Sequence, residues 1–128
     1  MEKIKLLSVG NKKMKTSEKQ SWEALVERYA PELYQNFYAV CEKEALKIAK
    51  EIKPEIIIVA NIMKNTLELV KILKQVNPDG VILVVLGMVE DEQEATEAFK
   101  AQGAYKCYPA PLSMDTLIHD MYVALNLE

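Results

Sequence analysis

Apolar residues fall along this chain in two alternating rhythms: short continuous runs, and longer stretches in which they recur every three or four positions. Ile4, Leu6, Leu7 and Val9 make a run that stops at Gly10-Asn11, which predicts a buried strand ending in a turn. From Asn11 to Gln20 the chain carries Lys12, Lys13, Lys15 and Lys19 without periodicity and reads as a solvated loop, and Ser17 with Gln20 fits a capping box. Trp22, Leu25, Val26 and Tyr29 then mark one helical face, which Pro31 kinks or restarts. Phe37 to Cys41 reads as the second strand, and Glu42 to Ile52 as a helix with Ala45, Leu46, Ile48, Ala49 and Ile52 on its repeat. Ile56-Ile57-Ile58-Val59-Ala60 is continuous and β-branched, as a central parallel strand covered on both faces requires. Leu67, Val70, Leu73 and Val76 mark the next helix, and Asn77-Pro78-Asp79-Gly80 a turn. Val81 to Leu86 is a second central strand. Asp91 and Glu94 cap a helix that turns Ala95, Ala98 and Phe99 inward and ends at Gly103. Tyr105 to Tyr108 is the last strand, and Ser113 to Leu125 the last helix, with Leu117, Met121 and Ala124 inward.

Five strands alternating with five helices predict an α/β fold: a doubly wound parallel sheet with helices on both faces and the flavodoxin-like strand order 2-1-3-4-5. A site then lies beyond the carboxyl ends of the strands, at Gly10, Asn11, Ala60, Asn61, Leu86, Gly87 and Ala110. The same order puts Cys41 and Cys107 on opposite edges, which argues against a disulfide between them, and both are expected to be buried thiols.

The 128 residues suit a single domain over 1–128, and with half of them hydrophobic and 27% charged the chain is expected to fold alone. The longest uncharged apolar run, Val81 to Val89, falls short of the roughly 18–20 residues that span a bilayer. With no signal-type apolar core at the N-terminus, a cytoplasmic location is expected. A net charge of -3 argues against a surface built for nucleic acid. Two cysteines and one histidine, His119, leave little for a metal site or a Ser-His-Asp triad, and no cofactor is expected. The Leu127-Glu128 ending is compatible with a cloning scar, which leaves open an output domain beyond it.

Several stretches resemble the receiver domain of bacterial two-component response regulators. They are Lys3 to Asn11, Glu44-Ala45-Leu46, Pro54-Glu55 with the run to Val59, and Gly103-Ala104 followed by Ala110-Pro111-Leu112. The resemblance covers nearly the whole chain apart from extra residues between the first two strands, and it implies a CheY-like fold. Receivers hold magnesium with two acidic residues after strand one and an aspartate at the end of strand three, which also accepts phosphate. A Ser or Thr after strand four and a lysine before the last proline bind the phosphoryl oxygens. Carried over, the acidic pair falls on Gly10-Asn11, the acceptor on Ala60 with Asn61 beside it, the hydroxyl around Leu86-Gly87 and the lysine on Ala110. The aromatic switch position falls on Cys107, flanked by Tyr105 and Tyr108.

None of these residues does the family's job, so the resemblance implies a pseudo-receiver: a phosphorylation-independent signalling domain, not an enzyme, that acts on a partner protein. Its family docks partners and dimerises through the last two helices and the last strand, near Tyr105, Lys106, Ile118 and Tyr122. Nucleic acid is expected only through an output domain. The family's X-Pro bond is commonly cis, which sets the same expectation for Ala110-Pro111. Asn11 and Asn61 read as turn residues, with a polar anion pocket as the alternative. Lys12, Lys13 and Lys15 read as a solvated loop, with steering of an acidic partner as theirs, and His119 as an exposed residue without a role. The rival class is a flavodoxin-like cobalamin- or nucleotide-binding domain, although Asp-x-His-x-x-Gly and Gly-x-Gly-x-x-Gly are both missing.

Overall fold

Side chains along a strand alternate between the two faces of its sheet, so a strand apolar at every position must be covered on both. The computed structural model describes residues 4–10, 34–60, 65–87, 89–109 and 114–125. Its described elements are β1 (Ile4–Val9), β2 (Tyr34–Ala39), α1 (Glu42–Ile52), β3 (Ile56–Ala60), α2 (Thr66–Val76), β4 (Val81–Gly87), α3 (Glu92–Ala101), β5 (Lys106–Pro109) and α4 (Met114–Ala124). The strands form one parallel five-stranded sheet in the order β2-β1-β3-β4-β5, as the alternating pattern predicts.

The alternation sorts the core into two layers. Leu7 and Val9 of β1, Ile57 and Val59 of β3, and Ile82, Val84 and Leu86 of β4 meet Ala45 and Ala49 of α1, Leu69, Val70 and Leu73 of α2, and Phe99 of α3. Their strand neighbours Leu6, Ile56, Ile58 and Leu83 face the other way, where with Tyr108 they meet Leu117 and Met121 of α4. Most of these side chains are fully buried, and each large aliphatic one removed from water contributes about 1.5–3 kcal/mol.

Element ends follow local chemistry. Asp91 caps α3 by accepting a hydrogen bond from the Glu94 backbone N–H at 2.9 Å, as expected. After α1, Lys53 turns left-handed (φ 51°) and Pro54 bars continuation. Gly103 (φ 111°) ends the α3 segment where a Cβ would come within 2.6 Å of Lys74 Cγ, so only glycine fits. Between α2 and β4, the Gly80 N–H donates to the Asn77 carbonyl at 3.0 Å, closing the expected turn.

Four expectations are corrected. β2 runs from Tyr34 to Ala39, not Phe37 to Cys41, because Cys41 is the N-cap of α1 and its carbonyl accepts the Ala45 N–H at 3.0 Å. β5 is displaced one residue, to Lys106–Pro109. Leu67 is 39% exposed because it lies about 100° around α2 from Thr66, off the stripe formed by Thr66, Leu69, Val70 and Leu73. Cys41 is only half-buried, whereas Cys107 is buried; both thiols are free. The expected loop with Lys12, Lys13 and Lys15, the helix over 17–29 and the Ala110-Pro111 bond lie outside the described residues.

Asn77 is 5% exposed, and its amide donates to the Pro54 carbonyl at 2.7 Å, tying the α1–β3 and α2–β4 connections together. Asn77→Ala strands that carbonyl and is expected to lower unfolding free energy by about 1–3 kcal/mol in urea melts. Asp79→Ala in the exposed part of the same turn serves as the control and is expected to change it by less than about 0.5 kcal/mol.

Candidate functional site

In an open parallel sheet the strand polarity collects loop-bearing ends along one edge, and sites form there. β1, β3 and β4 are adjacent, and Gly10, Ala60 and Gly87 stand at their carboxyl ends. The Gly10 N–H is spent on the Ala39 carbonyl at 2.9 Å. Ala60 pairs with Val85, and Gly87 pairs with Pro109 across an irregularity in the β4–β5 ladder. A glycine and a methyl group offer neither a nucleophilic oxygen nor a hard-cation ligand. The other expected members, Asn11, Asn61 and Ala110, lie outside the described residues. Among the described residues no group of three His, Cys, Asp or Glu side chains is arranged to hold a metal ion. No helix described is long and apolar enough to cross a membrane.

The polar cluster that does form joins β5 to α4. Lys106 and Tyr108, two apart on β5, share one face of the sheet. Lys106 Nζ lies 2.7 Å and the Tyr108 hydroxyl 2.8 Å from the same Asp120 Oδ2, with the ammonium 5.5 Å from the Tyr108 ring centre. Burial alone would raise the Asp120 pKa, but hydrogen bonds from Lys106 and Tyr108, with the charges of Lys106 and His119, hold it below the usual carboxylate value. Burial first, and then the hydrogen bond and charge of Asp120, push the Tyr108 phenol far above its ordinary value. Burial likewise raises the Cys107 thiol, against the opposing influences of Lys100 and Thr96. The Lys106 side chain is 44% exposed, so solvent screens its charge, and the cluster's main work is to satisfy a carboxylate only 16% exposed.

Sequence reasoning named Lys106 but missed Asp120 and Tyr108 as its partners. A signal existed: Tyr108 shares the strand parity of Lys106, and Asp120 sits directly before the inward Met121. Of the other residues expected on this face, Tyr105 is 49% exposed and donates its backbone N–H to the Ile82 carbonyl at 2.7 Å. Tyr122 is half-buried and packs against the α4 core layer. Ile118 belongs to α4, but its side chain is outside what the structure describes. An open groove of 480 Å³ lies between α3 and the end of β5, lined by Glu92, Gln93, Thr96, Glu97, Lys100 and Pro109.

Strand order, parallel ladders and helices on both faces together define a flavodoxin-like doubly wound fold, and its structural neighbours make it the CheY-like receiver fold. Solved structures of receiver domains superpose on nearly the whole chain. A CheY-like response regulator receiver domain protein from Methanospirillum hungatei JF-1 is 16% identical with a TM-score of 0.81, covering 98% of this chain and 95% of that one. Chemotaxis response regulator CheY4 of Vibrio cholerae is 21% identical with a TM-score of 0.77, covering 96% and 99%. A response regulator from Burkholderia pseudomallei, described with a phosphorylated aspartic acid, a calcium ion and citrate, is 21% identical with a TM-score of 0.75, covering 97% and 70%. No protein-family model and no curated protein matches the chain.

Because the native Asp120 carboxyl binds its proton more weakly than the unfolded one, its stabilisation is full above the unfolded carboxylate pKa of about 3.9 and is lost as pH falls through the native value. Asp120→Asn is therefore expected to flatten the acid limb of a plot of unfolding free energy against pH. A limb as steep as in the parent would show that the carboxylate is not coupled to folding.

Proposed function

We propose that this chain is a receiver-like signalling domain over 1–128 that acts in the cytoplasm by docking another signalling protein, without taking a phosphoryl group and without a cofactor. The observation that carries this reading is Ala60 at the carboxyl end of β3, flanked at the neighbouring strand ends by Gly10 and Gly87. An acyl phosphate forms only when a carboxylate oxygen attacks phosphorus, and magnesium is held at such a site by hard anionic oxygens. A methyl group at the acceptor position supplies neither, Gly87 supplies no hydroxyl for the transferred group, and the resemblance puts Ala110 where a lysine would pair with it. Cys107, at the family's aromatic switch position, is small and packed among the core residues of the α1–α3 layer. The aspartyl phosphate of the Burkholderia pseudomallei neighbour therefore has no chemical counterpart at Ala60.

The partner surface in this reading is the face of α3, β5 and α4. Tyr105 offers an exposed aromatic ring there, a groove along α3 reaches Pro109 at the end of β5, and the Lys106–Asp120–Tyr108 cluster fixes β5 against α4. A cobalamin- or nucleotide-binding module is not favoured, since the structural neighbours described above are receiver domains.

The test is titration of the full chain with beryllofluoride and magnesium, and separately with acetyl phosphate, read by amide chemical shifts. The backbone signals of Gly10, Asn61 and Gly87 are expected to stay unmoved at saturating reagent. Saturable shifts there would mean that the pocket binds phosphoryl-like anions, and would overturn the reading.

A further inference from the structure

One face of the sheet is covered by α1, α2 and α3, and α2 lies in the middle, packed against α1 on one side and α3 on the other. The inward stripes of these helices make the core, and their outward faces carry opposite charge patterns. At about 100° per residue, Lys43, Lys47 and Glu51 form an i, i+4, i+8 row on the side of α1 away from buried Ala45 and Ala49. Lys50 and Glu44 flank that row. On α3, Glu94, Glu97 and Lys100 form an i, i+3, i+6 row on the side away from buried Phe99. All six row residues are exposed, and Glu97 also accepts from Gln93 Nε2 on its own helix at 3.4 Å. Between the two rows, on α2, stands Leu67, 39% exposed. The other exposed large apolar side chains among the described residues, Tyr105 and Val123, lie beside β5 and on α4.

Helices that return the chain between parallel strands all run in one direction, so α1, α2 and α3 are parallel to one another. Their rows match turn for turn: Lys43 is the second residue of α1 and Glu94 the third of α3, Lys47 and Glu97 are each the sixth, and Glu51 and Lys100 are the tenth and ninth. Read in that order the signs are plus, plus, minus on α1 and minus, minus, plus on α3. Rows of i+4 and i+3 spacing are also the ridges that interdigitate when nearly parallel helices pack. A second copy can face this layer about a two-fold axis in two ways. An axis perpendicular to the helices sets α1 against its own copy, like charge on like. An axis parallel to α2 sets the α1 of each copy against the α3 of the other, with the signs opposed at every turn.

We propose that the outward face of α1, α2 and α3 docks a second copy of this chain about a two-fold axis parallel to α2. Leu67 meets its counterpart at the centre, and the Lys43–Lys47–Glu51 row of each copy meets the Glu94–Glu97–Lys100 row of the other. The contact is isologous, so it closes at two copies and each charge pair occurs twice. It does not depend on whether the strand ends take a phosphoryl group.

Sedimentation equilibrium on the full chain, from low micromolar to millimolar concentration, tests this at low and at high salt. The parent chain is expected to form a dimer and no larger species, weaker at high salt because exposed charge pairs are screened. Lys47→Glu and Glu97→Lys each set like charges opposite one another twice, and each is expected to raise the dimer dissociation constant about tenfold or more. The first makes a chain of net charge -3 more negative and the second makes it less so, whereas an effect of net charge alone would move the two in opposite directions. Combining them restores the parent's net charge with the pair reversed, and is expected to return the dissociation constant close to the parent's. Leu67→Glu is expected to weaken the dimer, and Val123→Glu, on α4 in the other layer, to leave it unchanged. All four positions are exposed, so the fold tolerates these changes. A parent chain that stays monomeric throughout, a combined variant no tighter than the single ones, or a dimer lost in Val123→Glu but kept in Leu67→Glu would each overturn the proposal.

Discussion

The constraint on which the rest of this molecule depends is the two-sided burial of β3 and β4. Ile56, Ile57, Val59, Ile82, Leu83 and Val84 are all fully buried, and alternate members of each strand point to opposite faces. No single layer of helices satisfies such a strand. The chain must cross over after each strand and cover the sheet on both sides, which makes the strands parallel and aligns their carboxyl ends. The ends of β1, β3 and β4, where a site of this fold is sought, stand together as a consequence of that alignment.

What stands at the aligned ends is a separate matter from the alignment itself. A scaffold fixes where chemistry is brought together, while the side chains decide whether any occurs. Here the ends of β1, β3 and β4 bring together a glycine, an alanine and another glycine. Among the described residues a polar cluster lies elsewhere, where Asp120 of α4 accepts from both Lys106 and Tyr108 of β5. In the proposed reading this division makes sense: the cluster holds a contact surface in shape, and the strand ends have no reaction to support.

The edges follow a logic of their own. A parallel sheet that does not close into a barrel always leaves two strands with unpaired backbone groups, and a chain blunts them or uses them. β5 is blunted by Lys106, by Pro109 and by its irregular ladder, whereas β2 is regular and uncharged along its length.

The sequence by itself determined the layered architecture, because hydrophobic period is a local property. Ile56–Ala60 and Glu42–Ile52 were legible to the residue, as was the Asp91 cap on the Glu94 N–H, since β-branched runs, proline stops and capping carboxylates act within a few positions. The strand order, and with it the position of Ala60 at a carboxyl end, followed from the alternation of elements. Only the tertiary structure decided the start of β2 at Tyr34, because that boundary is set by partners on β1 and leaves little mark in composition. Only it decided that Lys106 is tied to Asp120, fourteen positions away, because a hydrogen bond between a strand and a helix depends on how α4 is rotated over the sheet.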